Sequence, residues 1–219
     1  MKPYYEHGGI TIYHGDCREI MASLAWDVMM FDPPYGVALR SGMGGRFGDC
    51  AIIGDESTAV RDAALALRAD RPAACFGSWK IPRPPGARAL LTWDKGEHVG
   101  MGDLSLPWKP NTEEIYILGD GWAGPRKGSV LRHLAIAGCV GTRTWRFHET
   151  EKPESLMTDL LQVAPPGVVL DPTMGSGTTL VSAKRLRRQA IGIEIDERHC
   201  ETAAKRLSQE VLPLGLSSD

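Results

Sequence analysis

The segment Asp32-Pro33-Pro34-Tyr35 follows a short apolar run and carries groups that suit the binding of an amine. The two prolines fix φ and lack N–H donors, so nearby carbonyl oxygens can face a ligand. The Asp32 carboxylate and the Pro33 carbonyl can accept both hydrogens of an exocyclic amine and turn its nitrogen toward tetrahedral geometry. Tyr35 offers a face for stacking a base, worth roughly 1–3 kcal/mol. Read alone, the motif is explained equally well as a rigid turn that ends a strand.

A glycine-containing turn, residues 170–179, forms a second chemical segment between a predicted strand and a predicted helix. Gly175 and Gly177 let the backbone approach a ligand, and the helix that follows offers free N–H groups. The next strand ends at Glu194, where a carboxylate can accept ribose hydroxyls at the carboxyl edge of a sheet. Together these features indicate an adenosine-containing cofactor. The spacing matches neither the dinucleotide Gly-x-Gly-x-x-Gly pattern nor a phosphate-binding P-loop, so these residues leave the cofactor's identity open.

The rest of the chain supplies a sheet that can position both segments. Short apolar runs predict buried strands at 10–13, 28–31, 73–76, 89–93, 114–118, 168–170 and 190–194. Apolar spacing predicts helices at 17–25, 58–69, 153–163, 178–188 and 196–211, the last one N-capped by Asp196. Strands that alternate with helices predict an α/β fold with a doubly wound, mostly parallel sheet. The length of 219 residues suits a single domain over 1–219.

Composition restricts the class of protein further. The formal charge of −2 neither demands nor excludes a nucleic-acid partner. The five cysteines are scattered with no close pair, which argues against a disulfide framework and against a zinc site, and fits a reducing cytosol. The sequence shows neither a signal peptide nor an apolar run long enough for a membrane helix. We therefore expect a cytoplasmic protein with no metal and no membrane partner.

Basic residues are distributed unevenly along the chain. The irregular stretch 119–144 and the residues just after it are basic, and 121–148 contains no acidic residue. This segregation suits contact with phosphates, although a solvated basic loop explains it too. A second irregular stretch, the glycine-rich 41–48, comes directly after the Pro-Pro turn.

The order of the two chemical segments resembles that of the circularly permuted, β-type amino DNA methyltransferases, in which the catalytic motif precedes the cofactor motif. Further matches to this family are Gly15-Asp16-Cys17, Trp93-Asp94-Lys95-Gly96, Glu113-Glu114-Ile115, Glu151-Lys152-Pro153 with Leu156, and Gly192-Ile193-Glu194-Ile195-Asp196. The resemblance spans most of the chain. Two positions depart from it: Thr173 stands where the family commonly has Phe, and Glu149 where it often has Pro.

The resemblance implies a Rossmann-like methyltransferase fold that uses S-adenosylmethionine and methylates a flipped base in double-stranded DNA. It places the catalytic motif at 31–36, a target-recognition insertion at about 96–145 and the cofactor-binding part at 148–211, with 41–48 closing over the flipped base. The implied catalytic residues are Asp32, Pro33, Pro34 and Tyr35. The implied cofactor-binding residues are Asp16, Cys17, Asp32, Lys152, Asp171, Pro172, Thr173, Met174, Gly175, Ser176, Gly177, Thr178, Glu194 and Ile195. The implied DNA-binding residues are Arg40, Arg46, Arg126, Lys127, Arg132, Arg143 and Arg146.

Adenine N6 is the predicted target atom, because Asp at the first motif position is more typical of the family's adenine enzymes, whereas Ser is common in its cytosine enzymes. Cytosine N4 is the alternative. Methylation at cytosine C5 would need a cysteine nucleophile, and the sequence has no Pro-Cys pair. An RNA or protein-amide substrate and a catalytically inactive nucleotide-binding module stay open, as do a homodimer and a cognate restriction enzyme. Enzymes of this type occur in bacteria and phages.

Overall fold

The computed structural model describes residues 1–36, 53–97, 99, 102–134 and 151–209, and in this part of the chain one sheet is flanked by helices. The strands are β1 (Tyr5–His7), β2 (Ile10–His14), β3 (Val28–Phe31), β4 (Ala73–Gly77), β5 (Ala87–Asp94), β6 (Thr112–Leu118), β7 (Val130–Arg132), β8 (Val169–Asp171) and β9 (Ala190–Glu194). The helices are α1 (Cys17–Ile20), which continues into a 3₁₀ turn (Met21–Ser23), α2 (Ala59–Leu67), α3 (Glu154–Val163), α4 (Thr178–Arg185) and α5 (Glu197–Ser208).

The sheet order is β1-β2-β9-β8-β3-β4-β6-β5-β7. The central strands β2, β9, β8, β3 and β4 run parallel to one another. β6 runs antiparallel to both β4 and β5, β7 is parallel to β5, and β1 adds an antiparallel edge. The predicted mostly parallel sheet is therefore confirmed.

Helices cover both faces of the sheet, as expected for a doubly wound fold. The side chains of β3 alternate between the two faces: Val28 and Met30 join the core beneath α3, α4 and α5, whereas Met29 and Phe31 join the core beneath α1 and α2. All four side chains are fully buried. This two-sided burial explains why the strand reads as a continuous apolar run rather than an alternating one.

The predicted strands and helices are all present, and the differences lie mainly at their ends. The prediction was wrong for 17–25, because the helix tightens into a 3₁₀ turn and Leu24 is extended. The helix predicted over 178–188 ends at Arg185, and Arg187 adopts a positive φ of 55°. β1 and β7 were not predicted, and both are three-residue edge strands with mostly exposed side chains. Within the described residues, no helix is long and apolar enough to span a membrane, and no metal-binding cluster of His, Cys, Asp and Glu occurs.

Candidate active site

The carboxyl ends of the parallel strands meet at one edge of the sheet. β5 also ends at this edge, and the antiparallel β6 begins there. From one side to the other, the edge carries Asp16 after β2, Glu194 ending β9, Asp171 ending β8, Asp32 after β3, Glu113 in β6 and Lys95 after β5. Because β8 pairs directly with β3, the two segments that sequence analysis singled out lie side by side.

The turn after β3 is fixed by its packing against the segment before α2. Gly36 has a φ of 73°, and a Cβ there would lie 2.7 Å from the backbone of Ser57. The Gly36 N–H donates to the Asp55 carboxylate at 2.8 Å, and Asp55 is buried. Only glycine fits this conformation and close approach. Asp55 had not been singled out from the sequence, where nothing marks it as the partner of this turn.

Both oxygens of the Asp32 carboxylate have partners. The Lys152 ammonium lies 2.6 Å from Oδ2, and the Tyr35 hydroxyl donates to Oδ1 at 2.7 Å. The side chain is nonetheless 26% exposed. Since each carboxylate oxygen has two lone pairs, Asp32 retains the capacity to accept a further hydrogen.

Asp32 belongs to a larger charged cluster, which we call the Asp32 cluster: Asp32, Tyr35, Lys95, Glu113 and Lys152. Glu113 accepts from the Tyr35 hydroxyl at 3.1 Å and lies 3.2 Å from the Lys152 ammonium. Its other oxygen lies 2.5 Å from the Lys95 ammonium. Two carboxylates and two ammonium groups therefore alternate, and their charges balance. The predicted strands 89–93 and 114–118 stop just short of Lys95 and Glu113, and neither residue was assigned a role from the sequence.

The surroundings of Lys152 and Glu113 in the Asp32 cluster favour the charged forms of these two residues. Burial alone would lower the pKa of Lys152, but the carboxylates of Asp32 and Glu113 outweigh burial and raise it. Burial would likewise raise the pKa of Glu113, and the two lysines reverse that shift. Burial and then the two carboxylates raise the pKa of Tyr35 well above its usual range, so its hydroxyl stays protonated and can donate.

The turn after β8 is held by its own backbone and by buried side chains. Asp171 is buried and accepts from the Thr173 N–H at 3.2 Å. Burial raises the pKa of Asp171 to about 7, although hydrogen bonds from Thr179 and Thr173 oppose the shift. The side chains of Pro172, Met174, Ser176 and Thr178 are buried too. The residues of this turn therefore present mainly backbone, rather than side chains, to the edge of the sheet.

Two glycines shape the same turn. Gly175 has a φ of 52°, and a Cβ there would have no neighbour within 4 Å, so the space beside it is open. Gly177 caps α4 with a φ of 80°, and a Cβ there would lie 2.8 Å from that of Ala203 in α5. One glycine leaves room for a ligand, and the other permits close helix packing.

Thr173 connects this turn to the turn after β3. Its hydroxyl donates to the Asp32 carbonyl at 3.1 Å. This is the position at which the sequence departs from the resembled family's common Phe. The smaller, polar residue makes a hydrogen bond that a phenyl ring cannot make.

Glu194 connects the end of β9 with the glycine turn. It accepts from the Gly175 N–H and from the Asp196 N–H, both at 2.9 Å. Burial would raise the pKa of Glu194, but hydrogen bonds from His199 and these backbone groups lower it instead. The adjacent Ile195 is 43% exposed, which leaves an apolar surface beside an anionic carboxylate. This pairing can accommodate a ribose and the face of an adenine.

Asp16 and Cys17 lie at the end of the neighbouring β2. Asp16 caps α1 by accepting from the Arg18 N–H at 2.9 Å, and its carboxylate also binds the Arg18 guanidinium. These contacts lower the pKa of Asp16. Burial raises the pKa of Cys17 to about 11, so its thiol stays protonated and is no nucleophile at neutral pH.

Arg206 of α5 contacts the turn after β8 from the side of the helices. Its guanidinium donates to the Ser176 carbonyl at 2.8 Å and lies 2.9 Å from the Glu151 carboxylate and 3.3 Å from that of Glu154. The Arg206 and Glu151 side chains are only 7% and 3% exposed. Nothing in the local sequence marks Arg206, because its partners lie 28 or more residues away along the chain.

The predicted DNA-binding residues are only partly described. Arg126 is exposed. Lys127 lies 3.2 Å from Asp159, and Arg132 lies 3.6 Å from Asp94. The segment 121–148 contains no acidic residue, but Asp94 and Asp159, which are distant in the sequence, pack beside its basic side chains. Arg40, Arg46, Arg143 and Arg146, the glycine-rich 41–48, Glu149, and residues 98, 100, 101 and 135–145 of the predicted insertion lie outside the described residues.

Comparison with known proteins gives this arrangement a family. The type II methyltransferase M.ScaI of Streptomyces caespitosus is 24% identical over 270 residues, which cover 97% of this chain and 86% of M.ScaI. The M1.HpyAVI–SAM complex superposes with a TM-score of 0.67 at 23% identity, covering 91% of this chain and 100% of its own. PvuII DNA methyltransferase (cytosine-N4-specific) superposes with a TM-score of 0.72 at 15% identity, covering 96% of this chain and 90% of its own. The two structures show that the fold is that of the Rossmann-like methyltransferases. Residues 90–205 match the DNA methylase family, and because they make up more than half of the chain, the protein belongs to the N6/N4 DNA methylases.

Proposed function

We propose that this DNA methylase uses S-adenosylmethionine to methylate the N6 amine of adenine in double-stranded DNA. The observation that carries the proposal is the position of Asp32. Its carboxylate is held in the charged Asp32 cluster, and Thr173 joins its backbone to the cofactor turn. An amine acceptor thus lies directly beside the place where the cofactor would bind.

The residues at the ends of β8 and β9 fit an adenosine-containing cofactor. The open space beside Gly175 gives it room, Glu194 can accept from ribose hydroxyls, and Ile195 can pack against an adenine face. Asp16 and Cys17 lie on the neighbouring strand end, where they can approach the adenine edge. S-adenosylmethionine supplies an electrophilic methyl group on a positively charged sulfur.

Asp32 and Pro33 would act on the amine of the target base. The Asp32 carboxylate and the Pro33 carbonyl accept its two hydrogens, so the nitrogen lone pair points out of the ring plane. As the nitrogen forms its bond to the methyl carbon, the bond between that carbon and the cofactor sulfur would break, and S-adenosylhomocysteine would leave as a neutral thioether. The nitrogen would then carry the positive charge and release one proton to a carboxylate such as Asp32. The orientation of the amine towards the methyl group and the fixed charges around it account for the acceleration of methyl transfer, with no covalent intermediate on the protein.

The target base has to leave the helix stack, because a stacked base cannot present its amine to the cofactor. Tyr35 is the proposed stacking partner for the flipped base, although its hydroxyl is turned towards Asp32 and Glu113. The segment 96–145 is the proposed target-recognition part of a single-domain enzyme. Its basic residues, together with Arg40, Arg46 and Arg146, would bind phosphates.

The choice of adenine over cytosine rests on Asp32 itself. Asp at this position is typical of the adenine enzymes of the family, whereas Ser is common in the cytosine enzymes. Family membership alone does not discriminate between them, and PvuII DNA methyltransferase, described as cytosine-N4-specific, shares the fold. Cytosine N4 is therefore the alternative that an experiment has to address.

The direct test is to identify the methylated nucleoside. Unmodified plasmid DNA is incubated with the protein and isotope-labelled S-adenosylmethionine, digested to nucleosides and analysed by mass spectrometry, with RNA and protein substrates in parallel. We expect N6-methyldeoxyadenosine from DNA. A labelled N4-methyldeoxycytidine would replace the adenine assignment by the cytosine one.

Two variants separate the catalytic from the cofactor-binding residues. Asp32→Ala should lower the methylation rate by at least about 10²-fold with little change in cofactor Kd, since its carboxylate acts on the amine. Glu194→Ala should raise the cofactor Kd by roughly tenfold, the value of a lost charged hydrogen bond. Isothermal titration and single-turnover kinetics measure the two quantities. Equal losses of affinity and rate in Asp32→Ala would contradict its role, and an unchanged Kd in Glu194→Ala would remove that residue from the site.

A further inference from the structure

Lys152 belongs to the residues that the family resemblance assigns to the cofactor, yet its ammonium lies among the groups around Asp32. It is 2.6 Å from one Asp32 oxygen and 3.2 Å from a Glu113 oxygen. The side chain is only 8% exposed. Because Asp32 and Glu113 are both this close, the ammonium is directed at the turn after β3.

Burial makes this placement of Lys152 costly for the fold. The ammonium also lies 5.1 Å from the ring centre of Phe76 and 5.8 Å from that of Trp93, so aromatic rings as well as carboxylates contact it in place of water. Buried ion pairs are generally no more stabilising than well-packed apolar residues of similar volume. A buried cation between two carboxylates at the edge that carries the chemistry therefore points to a functional demand.

We propose that Lys152 and Glu113 are positioning residues for Asp32: Lys152 orients the carboxylate, and Glu113 holds Lys152 in place. The proposal rests on the proposed function, because it assigns to Asp32 the binding of the target amine. It also reassigns Lys152, which acts on the catalytic carboxylate and not on the cofactor.

The chemistry explains why such a support is useful. Lys152 and Tyr35 each occupy one Asp32 oxygen. The carboxylate plane is therefore fixed, and so is the direction of the remaining lone pair on each oxygen. When the nitrogen–methyl bond has formed, the nitrogen releases a proton and Asp32 takes it. Only an ionised Asp32 can both accept a hydrogen bond from the amine and take up the released proton. Glu113 and Lys95 form a second ion pair beside Asp32 and Lys152, so the cluster has no net charge.

Tyr35 after β3 and Lys152 before α3 contact the Asp32 carboxylate, and Glu113 in β6, with Lys95 behind it, contacts both of them. Two further titratable groups interact with Asp32 electrostatically, Cys75 in β4 and Asp171 ending β8. Among the described residues, Lys152 is the cation in direct contact with the carboxylate. Removing it leaves Asp32 and Glu113 as neighbouring anions bridged by Tyr35, and one of the two becomes easier to protonate.

The first variant is Lys152→Met, which keeps the length of the side chain and removes its charge. We expect the acid side of the kcat–pH profile to move up by about 1–3 pH units. At its new optimum, kcat should fall by roughly 10- to 100-fold because the carboxylate is no longer held in one orientation. The cofactor Kd, measured by titration calorimetry, should stay within about twofold, a change worth only ~0.4 kcal/mol.

The second variant, Glu113→Gln, should act in the opposite direction. With Glu113 neutral, the charge of Lys152 acts on Asp32 alone, so the acid side of the profile should move to lower pH. In the double variant Lys152→Met/Glu113→Gln it should return towards the wild-type position, because the repulsion between the two carboxylates is gone. Glu114→Gln is the matched control: Glu114 is the next residue of β6, and it binds Arg83 and Tyr116 instead. Its profile should coincide with that of the wild type.

Three outcomes would overturn the proposal. One is a Lys152→Met protein, folded by circular dichroism, whose acid limb stays in place while the cofactor Kd rises about tenfold, which would make Lys152 a cofactor ligand. Another is a shift of the same sign in both single variants. A third is coincidence of Lys152→Met with the wild type in rate and profile. If instead the wild type methylates no DNA, or Asp32→Ala is fully active, the proposed function fails before this inference is reached.

Discussion

Arg206 offers the sharpest test of how the cofactor turn is held, because one guanidinium binds three segments. It reaches the Ser176 carbonyl in the turn, Glu151 before α3 and Glu154 in α3. Arg206→Met keeps much of the side-chain volume and removes all of these contacts. We expect the variant to lose both stability and cofactor affinity, since the turn and the segment around Glu151 are then no longer tied to α5.

The magnitude follows from burial. Glu151 is 3% exposed, and removing Arg206 leaves its carboxylate without this cation, whereas Glu154 keeps Arg185. Removing one partner of a buried ion pair costs about 3–5 kcal/mol of unfolding free energy. For a chain of this size that corresponds to a fall in Tm of roughly 6–20 °C. The double variant Arg206→Met/Glu151→Gln should be more stable than the sum of the single losses predicts, by about 1–3 kcal/mol.

The assay is denaturant unfolding of the four proteins of this cycle, with cofactor titration on each. Lys205→Met is the matched control, because Lys205 is the neighbouring residue of α5 and its pair with Glu201 is exposed on both sides. This control should change the unfolding free energy by less than about 1 kcal/mol. The reasoning is refuted if Arg206→Met loses no more stability than Lys205→Met, or if the two single losses simply add.

Two further predictions concern the turn after β8. Burial raises the pKa of Asp171 to about 7, so the folded protein binds this proton more tightly than the unfolded chain. The stability that this group contributes is therefore fully present below ~pH 4 and is lost as pH rises through 7, by up to about 4 kcal/mol. Asp171→Asn should remove that slope in unfolding experiments at pH 5–8, and an unchanged slope would count against the buried proton. Thr173→Val should lower kcat and cost about 1 kcal/mol of stability by removing the hydrogen bond to the Asp32 carbonyl, with cofactor Kd retained. Thr202→Val is its control, because the partly buried Thr202 of α5 likewise donates its hydroxyl to a backbone carbonyl, that of Arg198, and equal kcat values in the two variants would contradict the link.

The sequence predicted the strands around the site well because their burial on both faces leaves an unmistakable apolar run, as at Val28–Phe31. It predicted the two turns because prolines restrict the backbone locally and glycines permit conformations that other residues rarely adopt. It could not predict the Asp32 cluster or the contacts of Arg206. Glu113 and Glu114 are adjacent, similar residues, yet one binds Lys152 and the other Arg83. That difference depends on the strand alternating between faces and on partners from distant segments, and neither is visible in local sequence.

The strand order explains how residues far apart in the chain make one site. β9 and β8, from the C-terminal third, lie between β2 and β3 from the N-terminal part. Thr173 therefore reaches Asp32 across 141 positions, and Lys152 reaches it across 120. Neither the turn after β3 nor the turn after β8 can reach its observed surroundings until the C-terminal strands have inserted, since each edge contact of Asp32 beyond Tyr35 comes from another element. The permuted order of the motifs thus does not keep the two turns apart, because the parallel pairing of β8 with β3, and not their order along the chain, brings them together.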